Sequence, residues 1–403
     1  MIPFSPPRID DKICDAVVAA LKSGWITTGP RTKEFEKKIT EYCGNKATVC
    51  VNSATAGLEM MLRWYGVGEG DEVILPAYTY SATANVIMHC GAIPVFIDVH
   101  SDDFNISVTD ITDAITENTK VIMPVDFGGM PCNYDVITGL VEAYKNKFVP
   151  KNEIQQKLGR ILVLSDAAHS FGASVKGNKT GSLCDVSVFS FHAVKNLTTA
   201  EGGAIALNFD ESIFRNEEIY NTLCVKILHG QNKDALAKTK KGNWKYDIVE
   251  PGYKCNMTDL TAAIGLVELE RYEKDTLVKR KHIVDTYKSL LKGDPRFELP
   301  YFEDNTRKSS YHLYPLRIRN ITEAQRDVII QEIFDRDVSV NVHFIPVPAM
   351  SFYKKLGYDL ANYKVTYDNF SREISLPVYY DLSDEQIKTV VQAVIDSVNK
   401  ILG

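Results

Sequence analysis

The 403-residue sequence lacks the patterns that would assign it to several common functional classes. Its eight cysteines include no Cys-X-X-Cys pair and mostly have apolar neighbours. A zinc site is therefore not expected, and buried free thiols in a reducing compartment are. No apolar run approaches the roughly 20 residues that span a bilayer, so no membrane helix is expected. No long basic run occurs and the net charge is -6, which argues against nucleic acid as a partner. The most basic tract, Leu236 to Lys245, is short and reads as a solvated loop, or as a contact for an anionic substrate. The amino-terminal MIPFSPPRIDDK has the pattern of neither a signal peptide nor a transit peptide, and a cytoplasmic location is expected. The GxGxxG fingerprint is missing at the first strand-to-helix turn, as is GxxxxGK[ST], which disfavours a nicotinamide dinucleotide or a P-loop nucleotide. There is no internal repeat and no low-complexity linker, and 45% hydrophobic with 24% charged residues is ordinary for a folded protein.

What is present is a regular alternation. Helical spacing runs over Asp11 to Lys22, Thr32 to Tyr42 and Ala56 to Tyr65. Short apolar segments rich in Val and Ile recur at 49–51, 72–76, 93–99, 120–125, 160–166, 185–191 and 203–207. This pattern predicts an α/β fold with a large, mostly parallel sheet covered on both faces. Thr258 to Ser289 reads as one long helical stretch or two, after which strands and helices alternate as in a smaller α+β domain. The expected division is 1–260 and 261–403, joined by a helix near 258–289.

A sheet of this kind binds ligands at the carboxyl ends of its strands. VNSATAG, Val51 to Gly57, ends a strand in small and hydroxyl residues and opens a helix, which makes an anion site. Tyr80 follows the next strand. Asp166 ends LVLSD, with His169 three residues on. Ser190 ends another strand, and Lys195 stands just beyond it, between two apolar strands where a buried ammonium is expensive. Singly, each has a plain structural explanation: a capped helix start, an aromatic roof, an N-cap, a core histidine, a surface lysine. Their coincidence on one side of one sheet carries the weight. Pyridoxal phosphate asks for this set: a helix N-terminus for phosphate, an aromatic for the ring, a carboxylate for the pyridine nitrogen and an amine for the aldehyde.

These residues lie in motifs that resemble the DegT/StrS-type aminotransferases, pyridoxal-phosphate enzymes of nucleotide-sugar biosynthesis with the aspartate aminotransferase type of fold. The resembling segments cover nearly the whole chain: GWITTGP, NSATAGL, GDEVILPAYTYSATAN, GAIPVFIDV, SDAAHSFGA, SFHAVKNLTTAEGGA, GYKCNMTDLTAAIGL, VHFIP and ISLP. The resemblance implies that Lys195 binds the cofactor covalently as its Schiff base and that Asp166 pairs with the pyridine nitrogen. It implies that Tyr80 stacks on the ring and that His169 lies beside it. Ala54 and Thr55 are implied to bind phosphate through backbone amides, with Ser190 adding its hydroxyl. Asn256 is implied to reach the phosphate of the neighbouring subunit's cofactor, in a homodimer with shared sites. Trp25, Thr27, Thr28, His192 and His343 are the implied substrate contacts.

The activity this implies is transfer of an amino group from glutamate to a 4-keto nucleotide sugar, by way of pyridoxamine phosphate. GWITTGP and AEGG resemble the enzyme that forms UDP-4-amino-4-deoxy-L-arabinose. SDAAHS, SSYHLYP and Asp126 in PVDFGG resemble enzymes that aminate 4-keto-6-deoxyhexoses. The products would serve lipopolysaccharide or other cell-surface polysaccharides. The rivals are a 3-keto sugar aminotransferase, a sugar dehydratase and a non-catalytic regulator of the same fold. The dehydratases of this family carry histidine in place of the lysine, and a regulator would be expected to lose Lys195 or Asp166.

Overall fold

The computed structural model describes residues 1–233 and 245–403, so the basic tract expected at Leu236 to Lys245 lies, but for Lys245, outside the described residues. The apolar segments of the first half form strands β1 (Ala47–Val51), β2 (Glu72–Pro76), β3 (Ile93–Ile97), β4 (Thr119–Ile122) and β5 (Leu162–Asp166). A small ribbon follows, β6 (Ser174–Val175) and β7 (Asn178–Lys179), and then β8 (Val186–Ser190) and β9 (Gly203–Leu207).

One 7-stranded sheet has the order β1-β9-β8-β5-β4-β2-β3. Its strands run parallel except β9, which is antiparallel to both β8 and β1. The reversal follows from the connection. A parallel return needs a crossover, usually helical, and the stretch between Ser190 and Gly203 contains no helix. Helix Pro30–Cys43 packs on β1, and helix Ala54–Trp64 packs on β5, β8 and β9. The strands are accordingly buried almost throughout, which explains their near-continuous apolar character.

Helix Asp259–Arg271 continues through a π-helical turn, Tyr272–Thr276, into helix Leu277–Leu291. The expected long helical stretch is thus present, with a π turn inside it. Beyond it lie β10 (Phe297–Glu298), β11 (Arg307–Lys308, paired with β6), β12 (Tyr314–Ile318) and β13 (Glu373–Leu376). Strands β10, β12 and β13 make a 3-stranded antiparallel sheet. Helices Glu323–Phe334 and Asp384–Leu402 pack on each other beside it, and each opens with a reciprocal capping box, Thr322 with Gln325 and Ser383 with Gln386. This is the predicted α/β architecture of the type I pyridoxal-phosphate fold, a large sheet with a smaller C-terminal α+β domain. The amino terminus crosses to the small sheet's side, where Ile2 pairs with Val338. No helix among the described residues is long and apolar enough to cross a membrane.

Candidate active site

The carboxyl ends of β5 and β8, the loop after β2 and the start of helix Ala54–Trp64 meet segments 312–313 and 343–344 around a cavity of about 360 Å³. Asp166 stands, buried, at the carboxyl end of β5 and lines the cavity. Lys195 is carried by the loop between β8 and β9. That loop is held in shape by backbone hydrogen bonds from Phe191 to Gly202, 2.9 Å, from Lys195 to His192, 2.9 Å, and from Thr199 to Phe191, 2.8 Å. Its sharp turn falls on Ala200, a non-glycine residue at φ 67°. The two glycines that follow serve close approach instead. A Cβ on Gly203 would meet the Ala54 nitrogen and the Ser53 carbonyl carbon at 2.6 Å. Strand β9 therefore presses directly on the start of helix Ala54–Trp64.

That helix start is an anion cradle. Ser53 is the N-cap and accepts from the Ala56 N–H at 3.1 Å. Ala54 and Thr55 follow it and line the cavity together with Ser190. First-turn amides have no carbonyl partner within their helix, and the helix dipole adds positive potential there. Tyr80 lies at the cavity rim, exposed, with its ring 5.7 Å from that of Phe344.

Asp166 is buried and held on both oxygens. Thr83 donates its hydroxyl to Oδ2 at 2.7 Å and the Ala168 N–H donates to Oδ1 at 3.2 Å. Burial raises its pKa; the hydrogen bonds and the Lys195 charge act in the opposite direction. Lys195 is shifted the other way, with burial pushing its ammonium down to about 8 while Asp166 resists. A lysine in that range supplies a free amine near neutral pH, which an ordinary surface lysine does not.

Four histidines line the same cavity, the buried or half-buried His169, His312 and His343 and the exposed His192. The Gly128 N–H donates to His169 Nδ1 at 3.3 Å, which leaves the neutral ring's proton on Nε2. Asn196, next to Lys195, donates its amide to the Ser310 carbonyl at 2.7 Å, so its Oδ1 accepts from His312 Nδ1 at 2.8 Å. The two rings lie 4.4 Å apart. Burial first, then neighbouring positive charge, keeps both well below the usual histidine pKa, so neither carries charge at neutral pH. His343 is likewise lowered, to about 3, by burial and Lys195.

Of the residues singled out from sequence, Ala54, Thr55, Tyr80, Asp166, His169, Ser190, His192, Lys195 and His343 surround this one cavity. His192 is exposed and lies 3.6 Å from Glu201. Trp25, Thr27, Thr28 and Asn256 do not line it. They form a second group: Asn256 donates to the Thr28 hydroxyl at 2.6 Å, and the Asp259 N–H donates to the Thr27 carbonyl at 3.0 Å. Sequence reasoning missed Phe4 and Ser5, which also line the cavity, Phe4 stacking on His343 at 5.5 Å. It quoted SSYHLYP without giving His312 a role. It also passed over Glu373 and Ser375, although a glutamate on an inward position of an apolar strand is a visible signal.

The donor set fits pyridoxal phosphate. Asp166 has hydrogen bonds but no direct ion-pair partner within 4 Å among the described residues, which suits a cationic ring N–H. The helix start supplies amides for phosphate, and the amine of Lys195 is poised for an aldehyde.

Residues 7–395 match the model of the DegT/DnrJ/EryC1/StrS aminotransferase family. The chain is 35% identical to the spore coat polysaccharide biosynthesis protein SpsC of Bacillus subtilis, over 98% of this chain and 97% of that one. It is 33% identical to a UDP-4-amino-4-deoxy-L-arabinose–oxoglutarate aminotransferase of Shewanella sediminis, over 98% of each chain. Its fold superposes on a putative sugar aminotransferase, Spr1654 of Streptococcus pneumoniae, in the pyridoxamine-phosphate form, with TM-score 0.96, 45% identity and complete coverage of both chains. The pyridoxal-phosphate form of the same protein gives TM-score 0.95 with 44% identity, again over the whole of both chains.

Proposed function

We propose that this chain, which belongs to the DegT/DnrJ/EryC1/StrS aminotransferase family and is a pyridoxal-phosphate-dependent aminotransferase, moves the amino group of glutamate to a 4-keto nucleotide sugar. The acceptor is a UDP-4-ketopentose or a 4-keto-6-deoxyhexose, and the product feeds a cell-surface polysaccharide. The observation that carries the cofactor half of this reading is one cavity holding Lys195, Asp166 and an open helix start. The sugar half is supported by the relatives' names, one an arabinose-forming aminotransferase and one a spore coat polysaccharide protein.

When bound, the cofactor supplies an electron sink for charge developing on the substrate carbon. Asp166 would hold the proton on the ring nitrogen. Backbone amides of Ala54 and Thr55, with the Ser190 hydroxyl, would hold the phosphate. Tyr80 would stack on the ring. His169 would offer Nε2–H as a donor to it. Lys195, depressed to about 8, would hold the cofactor through its amine and, once freed, would serve as general base and acid for the proton on the substrate Cα. His192 and His343 contact substrate. Asn256 reaches the phosphate of the neighbouring subunit's cofactor in a homodimer, and Trp25, Thr27 and Thr28, grouped with it, contact substrate.

A screen with glutamate as donor tests the acceptor, using UDP-4-ketopentose, UDP- and dTDP-4-keto-6-deoxyhexoses and their 3-keto isomers. Turnover is expected on a 4-keto sugar; failure on every acceptor would remove the nucleotide-sugar reading and leave the cofactor reading standing. Lys195→Ala is expected to abolish turnover and the visible absorbance of lysine-bound cofactor, and normal turnover by that variant would refute the assignment of Lys195.

A further inference from the structure

Behind His343 the small sheet holds a buried chain of hydrogen bonds for which the transamination steps given above have no use. The antiparallel bridge between Asn341 and Ser375 brings residue 343 opposite residue 373. Side chains alternate along a strand, so Glu373 and Ser375 share one face of β13. Both are fully buried. His343 Nδ1 lies 2.9 Å from Ser375 Oγ, and the Ser375 hydroxyl donates to Glu373 Oε1 at 2.5 Å. The other carboxylate oxygen, Oε2, accepts the His343 backbone N–H at 3.0 Å. Both oxygens of Glu373 are thus used on His343, one directly and one through a serine. No salt bridge reaches Glu373 among the described residues, and a core carboxylate without one is costly. The ring of His343 lines the Lys195 cavity, and Nε2 is the nitrogen left for whatever the cavity holds.

This chain has two proton settings. With Glu373 ionised, Nδ1–H donates to Ser375, Ser375 donates to Glu373, and Nε2 keeps its lone pair. With Glu373 protonated, its O–H donates to Ser375, Ser375 donates to Nδ1, and Nε2 carries a proton. The settings differ by one proton, which enters at Nε2 and ends on Glu373.

We propose that His343, Ser375 and Glu373 form a relay that takes one proton from the α-ammonium of the amino-acid donor and stores it on Glu373. This rests on the aminotransferase reading. One ammonium N–H bond breaks and Nε2–H forms. Nδ1 passes its proton to Ser375 Oγ, and Ser375 passes its own to Glu373 Oε1. The donor is left with a neutral amine and a free lone pair, the state it needs to attack a carbonyl carbon. Glu373 and Ser375 never touch substrate and are positioning residues. Because burial and Lys195 hold the His343 imidazolium down to about 3, a proton arriving at Nε2 has to leave by Nδ1. Burial pushes Glu373 up to about 8, against its hydrogen bonds and the charges of Arg326 and Arg317, so the sink stands empty above about pH 8 and returns its proton below it. The groups facing Glu373 are Arg317 from β12, Arg326 from helix Glu323–Phe334, Tyr78 after β2, and His343 itself. Tyr78 is pushed well above its ordinary value by burial and stays neutral.

The test is the tautomer of His343, read by nitrogen-15 NMR of histidine-labelled protein with and without cofactor. The signal is assigned by the resonance missing from His343→Gln or by through-bond correlation. Nε2–H is expected below about pH 8 and Nδ1–H above it. Ser375→Ala is expected to lose this inversion, and Ser375→Thr to keep it. In single-turnover reaction with glutamate, Ser375→Ala is expected to be slower on the order of 100-fold above about pH 8, where Glu373 is ionised and the donor amine still protonated, and equal to wild type where the donor amine is already neutral. A wild-type tautomer that never inverts, or an inversion unchanged in Ser375→Ala, overturns the relay. The wild-type titration is decisive by itself should the variant not fold. It needs no turnover, so a failed sugar screen leaves it intact, and normal sugar amination with a fixed tautomer removes the relay alone.

Discussion

Asp166 and Glu373 are both buried carboxylates beside one cavity, but they stand on different sheets and are held in opposite ways. Asp166 ends a parallel strand of the large sheet and lines the cavity. Its oxygens accept from Thr83 and Ala168; burial raises its pKa, and those bonds and the Lys195 charge oppose that rise. Glu373 opens a strand of the small sheet and stands behind His343, and among the described residues its carboxylate accepts from that residue's backbone and from Ser375. The large-sheet side presents its chemical groups directly. The small-sheet side acts through an intermediary. Removing charge should therefore cost activity at the first site and change pH behaviour at the second.

The largest effect is expected at Asp166. Asp166→Asn keeps the shape and the Thr83 contact but removes the charge that holds a proton on the ring nitrogen. Loss of one preorganised electrostatic partner costs about 10² to 10³ in rate. The same change removes the group that supports the Lys195 ammonium, so Lys195 should titrate below about 8. The rate and pH profile of cofactor incorporation into the apoprotein report both. A variant with wild-type turnover and an unshifted Lys195 would break the contrast from the large-sheet side.

Glu373→Gln sharpens it from the other side. A carboxyl raised to about 8 in the folded protein still holds its proton where the unfolded chain, with an ordinary value near 4.5, has lost it. Folding then takes up a proton, so stability is highest below pH 4.5 and falls as pH rises toward 8. The slope is up to about 1.4 kcal/mol per pH unit from this group. Glutamine has no such titration. Denaturant melts at several pH values should show the variant gaining on wild type between pH 4.5 and 8, and equal slopes for the two proteins would mean that Glu373 ionises normally.

The two sides were also unequally legible in sequence. The large-sheet side could be read because strand ends are local features: a short apolar run, then Asp166, Ser190 or Lys195, and parallel-sheet topology places those ends together. The strands were found within a few residues, and nine of the singled-out residues share the cavity. The small-sheet side could not be read in this way. His343 meets Ser375 through the bridge between Asn341 and Ser375, a long-range register that no local pattern encodes. Phe4 reaches the site because Ile2 pairs with Val338, across almost the whole chain. Asp259 was likewise invisible as a cap: it accepts from Gly29, Arg31 and Thr32 and fixes the end of the GWITTGP loop from a distant helix. The glycines after Ala200 were legible as a motif but not in their role, which is close approach.

That role gives the smallest of these effects and the most selective one. The three atoms nearest a methyl group at residue 203 would all be backbone, the Ser53 carbonyl carbon and oxygen at 2.6 and 2.8 Å and the Ala54 nitrogen at 2.6 Å. Backbone cannot rotate away, so Gly203→Ala has to displace the start of helix Ala54–Trp64, and with it the amides that form the anion cradle. At residue 202 a methyl would meet the Thr199 hydroxyl at 2.2 Å and the Met257 methyl at 2.8 Å, both side-chain ends that can rotate. Gly203→Ala is therefore expected to weaken cofactor binding about tenfold, or about 1.4 kcal/mol, and Gly202→Ala by less. The Lys195 and Asp166 groups are untouched by either change, so the pH midpoint of cofactor incorporation should hold while the affinity falls. Titration of apoprotein with pyridoxal phosphate separates the two quantities. If Gly202→Ala proved the more damaging, the cradle would be set by the loop's side chains and not by the backbone of β9, and the large-sheet side would resemble the small one in working through intermediaries.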